Sequence, residues 1–343
     1  MATSGVVIFR LTRDQLITQA LIKVGAVDFE NATPATTNQI TYGAQAANMM
    51  LKGWEAEGLQ LWERKYGVIF PQKNQPVYVL GSPGPAGDHA CLSTPLGTGF
   101  IRTTLTTAIA VNGTSAILTA TSNAGTSYSS VGVPTITMAA SDNIGIQQTD
   151  GTMFWTTING ALAGNTATLT AGLTVGAAVG AYVTTYTTKL MRPLRILDGF
   201  TRQAAGNDIP HLLIPRENYN RFGSKLSAGT SIQTYYDVQE NVGHLYVYPV
   251  PSDVTQQMFI EFQKPIEDFA ATGDDFDLPQ EWCEAIVFNL AWRMCGDYEV
   301  SKDKIAYLKE MAVYTFERLD GWDQETGSVF LQPSPQLSEQ GQR

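Results

Sequence analysis

Ala116-Ile117-Leu118-Thr119, Phe154-Trp155-Thr156-Thr157-Ile158 and Thr166-Ala167-Thr168-Leu169-Thr170 are the runs that decide the fold class. Each is short, roughly alternating and rich in branched or aromatic side chains, which pack well on a pleated surface. They lie in a stretch, residues 103–188, dominated by Thr, Ala, Gly, Val and Ser, whose only charged residues are Asp142 and Asp150. Gly-containing turns about every ten residues predict a small all-β sandwich or barrel. Regularly spaced Ile, Val, Leu and Trp favour a folded domain there over low-complexity disorder.

Outward from this stretch the period changes. Towards the N-terminus, Thr12 with Gln15 forms a capping box, and Leu11 faces Leu16 as a hydrophobic staple. Leu16, Ile17, Ala20, Leu21 and Val24 make one apolar stripe, stopped by Gly25. A second helix is expected from near Thr33, with Pro34 at its first position. Ile40, Ala44, Ala47, Leu51 and Trp54 form its buried face and Gly58 its end, which gives a helical hairpin. Residues 66–70 and 77–80 then read as a β-hairpin, and the Gly/Pro loop 81–87 as a domain boundary.

Towards the C-terminus, strands are expected at 190–197, 232–236, 244–248 and 258–262, with a short helix at 216–222. Asp277 is read as the cap of a helix whose buried face is Trp282, Ile286, Leu290 and Met294. Ser301 caps another, striped by Ile305, Leu308, Ala312, Phe316 and Leu319. The expected fold class is α+β: terminal α-helices forming one helical bundle over an antiparallel β core, with a large all-β insertion. The domains are then residues 1–85 and 190–325 as one core, 86–189 as the insertion, and 326–343 as an extended tail with a disordered end.

Composition narrows the function. The chain has 343 residues, 43% hydrophobic and only 16% charged, with a net charge of −10. Low charge suits extensive surfaces shared with other subunits. An acidic balance argues against a dedicated nucleic-acid binder, whose affinity comes from Lys and Arg releasing counterions. It does suit a conduit through which DNA slides. Cys91, Cys283 and Cys295 make no disulfide framework; the last two fall on one expected helix, about 18 Å apart at the helical rise. They read as buried, reduced thiols of a protein assembled in a reducing cytoplasm. No signal peptide and no run long enough to span a bilayer is seen.

Catalytic constellations are sparse. His89, His211 and His244 lack partners at metal-ligand spacing. His89 lies two residues from Cys91, in a segment read as a mobile loop. Glu55, Glu57 and Glu63 flank a tryptophan-rich turn that resembles a sugar cleft, but they are expected to face solvent opposite Trp54. Asp274, Asp275, Asp277, Glu281 and Glu284 suit a cation, or simply a helix N-terminus. No catalytic residue, cofactor or metal is therefore expected. Arg192, Arg195, Arg202, Arg216, Arg221 and Lys225 are read as a subunit interface or a contact with channel DNA. Interface use is favoured because no aromatic stacking platform interleaves with them. Trp322, Val329, Phe330 and Leu331, on a tail without helical periodicity, must pack on their own fold or on a partner.

Several segments carry a family resemblance. They are Leu51-Lys52-Gly53-Trp54-Glu55-Ala56-Glu57-Gly58-Leu59-Gln60-Leu61-Trp62, Arg192-Pro193-Leu194-Arg195, Gly206-Asn207-Asp208-Ile209-Pro210 and Leu245-Tyr246-Val247-Tyr248-Pro249-Val250-Pro251. Lys264-Pro265-Ile266-Glu267-Asp268-Phe269, Leu278-Pro279-Gln280-Glu281-Trp282 and Gly327-Ser328-Val329-Phe330-Leu331-Gln332-Pro333 continue the series. In this order they resemble the packaged-DNA stabilisation proteins, the head-to-tail adaptors of short-tailed bacteriophages. Smaller members lack the β insertion, so its role does not carry over.

The resemblance implies a structural virion protein, not an enzyme. Such a protein binds the portal as a ring, commonly of twelve copies, seals or extends the DNA channel and offers a platform for tail nozzle or fibre proteins. DNA passes without sequence-specific binding, and no membrane is involved. The resemblance also makes Trp322, Val329, Phe330 and Leu331 the portal-docking element. Two rival readings are a peptidoglycan hydrolase, which needs two carboxylates facing one cleft, and a peripheral carbohydrate- or receptor-binding tail protein. The second needs an exposed aromatic patch on the insertion, with Trp155 and Tyr128 as its candidates.

Overall fold

A computed structural model describes residues 9–28, 34–57, 64–82, 88–123, 135–275 and 277–320. The protein is α+β, with helices and antiparallel sheets segregated along the chain. It divides into two compact units, residues 1–62 with 266–343, and residues 63–265.

The first unit holds α1 (Arg13–Val24) and α2 (Thr37–Glu57). α1 begins where expected: the Thr12 N–H donates to Gln15 Oε1 at 3.0 Å. It ends at Gly25, whose φ of +91° is left-handed backbone that a side chain resists, and whose N–H closes on Leu21 and Ile22. α2 begins later than Pro34 suggested. Thr36 is its cap, with the Thr36 N–H on Gln39 Oε1 at 2.8 Å and the Gln39 N–H on Thr36 Oγ1 at 3.3 Å. A reciprocal cap satisfies two orphan donors, which outweighs a proline that satisfies none. The expected end at Gly58 lies outside the described residues.

In the second unit, α3 (Arg216–Asn220) is a single short helix. Back in the first unit, α4 (Cys283–Met294) follows a 3-10 turn at Gln280–Trp282, and α5 (Lys302–Asp320) follows Ser301. Asp277 does not cap α4; its carboxylate accepts the Glu267 N–H at 3.4 Å, and Pro279 precedes the 3-10 turn. α1, α2, α4 and α5 pack on one another around one apolar core that includes Leu16, Leu21, Met50, Trp54, Trp282, Leu290 and Leu308.

The second unit contains the sheets. In one, the strands run Asp208–Pro210, Arg195–Arg202, Gln257–Gln263, Arg64–Ile69 and Ala90–Ser93, all antiparallel. In a second the order is Leu212–Leu213, Gln233–Val238, Gly243–Tyr248 and Val77–Leu80. The expected hairpin of 66–70 with 77–80 is therefore wrong, because the two strands lie in different sheets. The alternation was right and the partner was not: Tyr78 and Leu80 bury against Leu245 and Val247, and that long-range packing sets the pairing. The strand expected at 190–197 starts only at Arg195, since Pro193 has no N–H for a ladder.

Both faces of the first sheet are covered. Ile69, Met258 and Ile260 pack with Leu245 and Val247, whereas Val68, Cys91 and Phe259 pack with Phe100 and Tyr186. Residues 101–186 add a sheet ordered Ile101–Thr104, Tyr182–Tyr186, Asn143–Gln147 and Met153–Thr157, and a pair, Ser115–Ile117 with Thr166–Thr168. Ile144, Ile146, Leu118, Leu169 and Val183 give these strands a core of their own.

Candidate functional site

Three segments far apart in sequence meet along α2. Trp54, 3% exposed, lies against Trp282 with ring centroids 5.7 Å apart and against Phe316 at 5.1 Å. One helical turn round, α2 grips the backbone of residues 266–269. Asn48 accepts the Phe269 N–H at 2.9 Å and donates to its carbonyl at 3.2 Å. Lys52 Nζ donates to the Ile266 carbonyl at 2.6 Å, and Glu55 Oε2 accepts the Ile266 N–H at 3.1 Å. The same Lys52 pairs with Glu55 at 3.2 Å and with Asp268 at 3.3 Å. The runs around Trp54, Ile266 and Trp282 thus share one core and one clamp.

Glu55 consequently does not face solvent as expected. Its side chain is 10% exposed, and its carboxylate is occupied by a backbone donor and an ammonium, as a buried charge requires. The side chain of Glu57 and all of Glu63 lie outside the described residues. The acidic residues near α4 disperse as well. Asp274 accepts the N–H groups of Ala270 and Ala271 at 2.9 and 2.5 Å, which holds its carboxyl below the usual range. Asp275 meets Arg10 at 3.4 Å, and Glu284 meets Arg318 at 3.1 Å. Among the described residues, no group of three metal-ligating side chains occurs.

His89 and Cys91 are not in a mobile loop. Cys91 lies on the strand Ala90–Ser93, buried, and burial pushes its thiol up, away from the nucleophilic thiolate. His89 stacks on Trp155 and its Nδ1 is 2.7 Å from the Tyr186 hydroxyl. Burial lowers the His89 pKa to about 3, so the ring is neutral. Trp155 is half-buried by these contacts and by Phe70 at 5.6 Å. Tyr128 lies outside the described residues.

The six cations expected at an interface divide into two groups. Arg202 is buried, bidentate to Asp208 at 2.7 Å through two nitrogens and bonded to the Pro95 carbonyl at 3.0 Å. Its guanidinium also lies over Phe259. Lys225 donates to the carbonyls of Asn220 and Phe222 at 3.2 and 3.3 Å, closing the end of α3. Arg192 reaches the Gln239 carbonyl at 3.4 Å. Arg195, Arg216 and Arg221 are exposed.

Sequence reading missed an aromatic cluster beside these cations. Phe222 stacks on Tyr248 at 4.1 Å, Tyr235 on Tyr246 at 5.4 Å, and Tyr219 packs on Tyr246 at 5.1 Å. The rings come from α3 and two strands, and only the register Tyr235↔Tyr246 brings them together. They cover one another, and Tyr219 is buried, so the cluster mounts α3 on its sheet rather than offering bare faces. α3 then carries Arg216 and Arg221 outward, beside the exposed Leu212, Leu213 and Leu226.

Trp322, Val329, Phe330 and Leu331, the expected docking element, lie outside the described residues, which end at residue 320. No helix among the described residues is long and apolar enough to cross a membrane. The chain matches no protein-family model, and no curated protein matches it.

Proposed function

We propose that this chain is a structural protein of a bacteriophage particle, a head-to-tail adaptor that assembles as a ring on the portal, commonly with twelve copies. It seals or extends the DNA channel and gives tail nozzle or fibre proteins their attachment platform. In this reading the terminal helices are the adaptor's bundle, residues 86–189 are an insertion, and Trp322, Val329, Phe330 and Leu331 dock on the portal. The particle is assembled in the host cytoplasm, and DNA passes through without sequence-specific binding.

One observation carries most of the support. The segments that resemble adaptor proteins around Trp54, Ile266 and Trp282 are spread along the sequence, yet they meet as one packed and hydrogen-bonded cluster. Motifs that jointly build a core are the kind a structural protein keeps, because packing and backbone satisfaction need all of them together. Glu55, the first carboxylate of the hydrolase alternative, has its Oε2 committed to that cluster by the Ile266 N–H and the Lys52 ammonium.

Native mass spectrometry of the chain alone and with its portal tests the proposal. The expected result is a monomer that becomes a closed ring only with portal, and loss of binding on truncation after Gly321. A chain that ignores the portal overturns the adaptor reading. Portal binding that survives truncation overturns the docking role of the tail.

A further inference from the structure

Asparagine followed by glycine occurs twice in the sequence, at Asn112-Gly113 and at Asn159-Gly160. The pairing has a chemistry of its own. Glycine lacks a Cβ, so its backbone nitrogen can swing against the carboxamide carbon of the preceding asparagine, and the two can close a five-membered ring. Closure requires that this nitrogen give up its proton and that the asparagine turn about its own backbone. A glycine N–H held by a carbonyl meets neither requirement until that bond opens. Both pairs lie in the 101–186 region, and the fold holds them in opposite ways.

Asn112-Gly113 is clamped. The Asn112 N–H donates to the Leu173 carbonyl at 2.8 Å and the Gly113 N–H to the Ala110 carbonyl at 2.9 Å. The Gly113 carbonyl in turn accepts the Leu173 N–H at 3.3 Å. Asn112 is fixed in left-handed backbone, with φ at +61°. Gly172 lies so close that an added Cβ would stand 2.5 Å from the Asn112 carbonyl oxygen. Asn159-Gly160 is the reverse. The Asn159 N–H is held by the Thr168 carbonyl at 2.7 Å, and the next backbone bonds are those between Ala163 and Thr166 at 3.0 and 3.1 Å. Between them, the N–H groups of Gly160, Ala161 and Leu162 have no bonded partner among the described residues, and neither does the Asn159 carboxamide. Asn159 and Gly160 are exposed, and a Cβ added at Gly160 would meet nothing within 4 Å.

We propose that Asn159 is a site of spontaneous covalent modification, deamidation through Gly160, from which the fold shields Asn112. The Gly160 nitrogen loses its proton to solvent base and bonds to the Asn159 Cγ. The Cγ–Nδ2 bond then breaks, and Nδ2 leaves as ammonia, taking a proton from solvent. Water opens the resulting succinimide at either carbonyl. Attack at Cγ leaves an aspartate; attack at the backbone carbonyl leaves an isoaspartate, whose main chain runs through the former side chain. Water is the co-reactant, and nothing is oxidised or reduced. Either product puts a new carboxylate on the surface of residues 103–188, whose charged residues are otherwise the buried Asp142 and the exposed Asp150. One event therefore doubles the exposed charge of that region.

Peptide mapping by mass spectrometry tests this on the full chain, incubated at neutral pH in oxygen-18 water. Label should enter the Asn159 peptide, one atom per chain, as a mixture of isoaspartate and aspartate. Conversion of Asn112 should be at least about tenfold slower in the folded chain, because the Gly113 N–H must first leave the Ala110 carbonyl. In urea the two rates should converge to within about twofold, since both pairs then sample the same open backbone. Amide hydrogen exchange gives a second reading: Gly160 should exchange close to its unfolded rate and Gly113 far below it. Equal rates at Asn159 and Asn112 in the folded chain overturn the proposal, as does a protected Gly160 amide. An Asn159 still intact in the folded chain after both sites have converted in urea overturns it too. So does label at Asn159 without isoaspartate, because water would then cleave the carboxamide directly and Gly160 would take no part.

Discussion

The imidazole of His89 lies flat on the indole of Trp155, with ring centroids 3.9 Å apart and planes 5° from parallel. It joins a segment next to the strand Ala90–Ser93 to a strand of the 101–186 region, and Tyr186 adds a hydrogen bond at 2.7 Å. The stack excludes water from a titratable ring, so the ring resists protonation.

Acid should therefore destabilise the fold in a defined window. The His89 and His211 pKa values lie at about 3 and about 4, below the ordinary 6.5, chiefly because both rings are buried. Above pH 6.5 neither ring is charged in either state, and the full stability is present. Below it the unfolded rings take up protons that the folded ones refuse, so stability falls until pH reaches the folded values. Asp88, raised by burial, works in the opposite direction. Urea unfolding at pH 7, 5.5 and 4 should thus show a shallower loss for His89→Phe than for wild type, by about 2–4 kcal/mol across the window. Parallel curves for the two proteins would show that His89 does not resist protonation.

Gly145 sets the other side of Trp155. A Cβ there would come within 2.8 Å of the indole atoms. Gly145→Ala should cost about 1–3 kcal/mol through displacement of a packed ring. It should also change the Trp155 fluorescence, which a temperature scan would follow.

Trp54→Ala removes the ring shared by Trp282 and Phe316 and should cost about 3–5 kcal/mol in denaturant unfolding. Asn48→Ala, which leaves the Phe269 N–H and carbonyl without their side-chain partner, should cost about 1–3 kcal/mol.

The cations should separate by the same measurement. Arg202→Ala removes the buried guanidinium that bonds Asp208 and the Pro95 carbonyl and should lower stability by about 1–3 kcal/mol, since the Asp208 carboxylate left behind reaches water. Arg195→Ala and Arg221→Ala, at exposed positions, should stay within about 0.5 kcal/mol of wild type. Equal losses at all three positions would show that the division into held and outward cations is wrong.

What the sequence determined by itself was local. The Thr12–Gln15 cap, the Gly25 stop, the buried faces of α1, α4 and α5, and the strands at Gln233–Val238, Gly243–Tyr248 and Gln257–Gln263 all follow from side-chain period and backbone chemistry within a few residues. Partners were decided only by the tertiary structure. Val77–Leu80 pairs with Gly243–Tyr248 and not with its near neighbour, and Glu55 turns to Ile266 rather than to water. His89 leaves an apparent loop for an aromatic stack, and five aromatic residues mount α3. A period shows which face of an element is apolar. Which distant face covers it, and which buried polar group must then find a donor, depends on packing the whole unit at once, and no local window contains that choice.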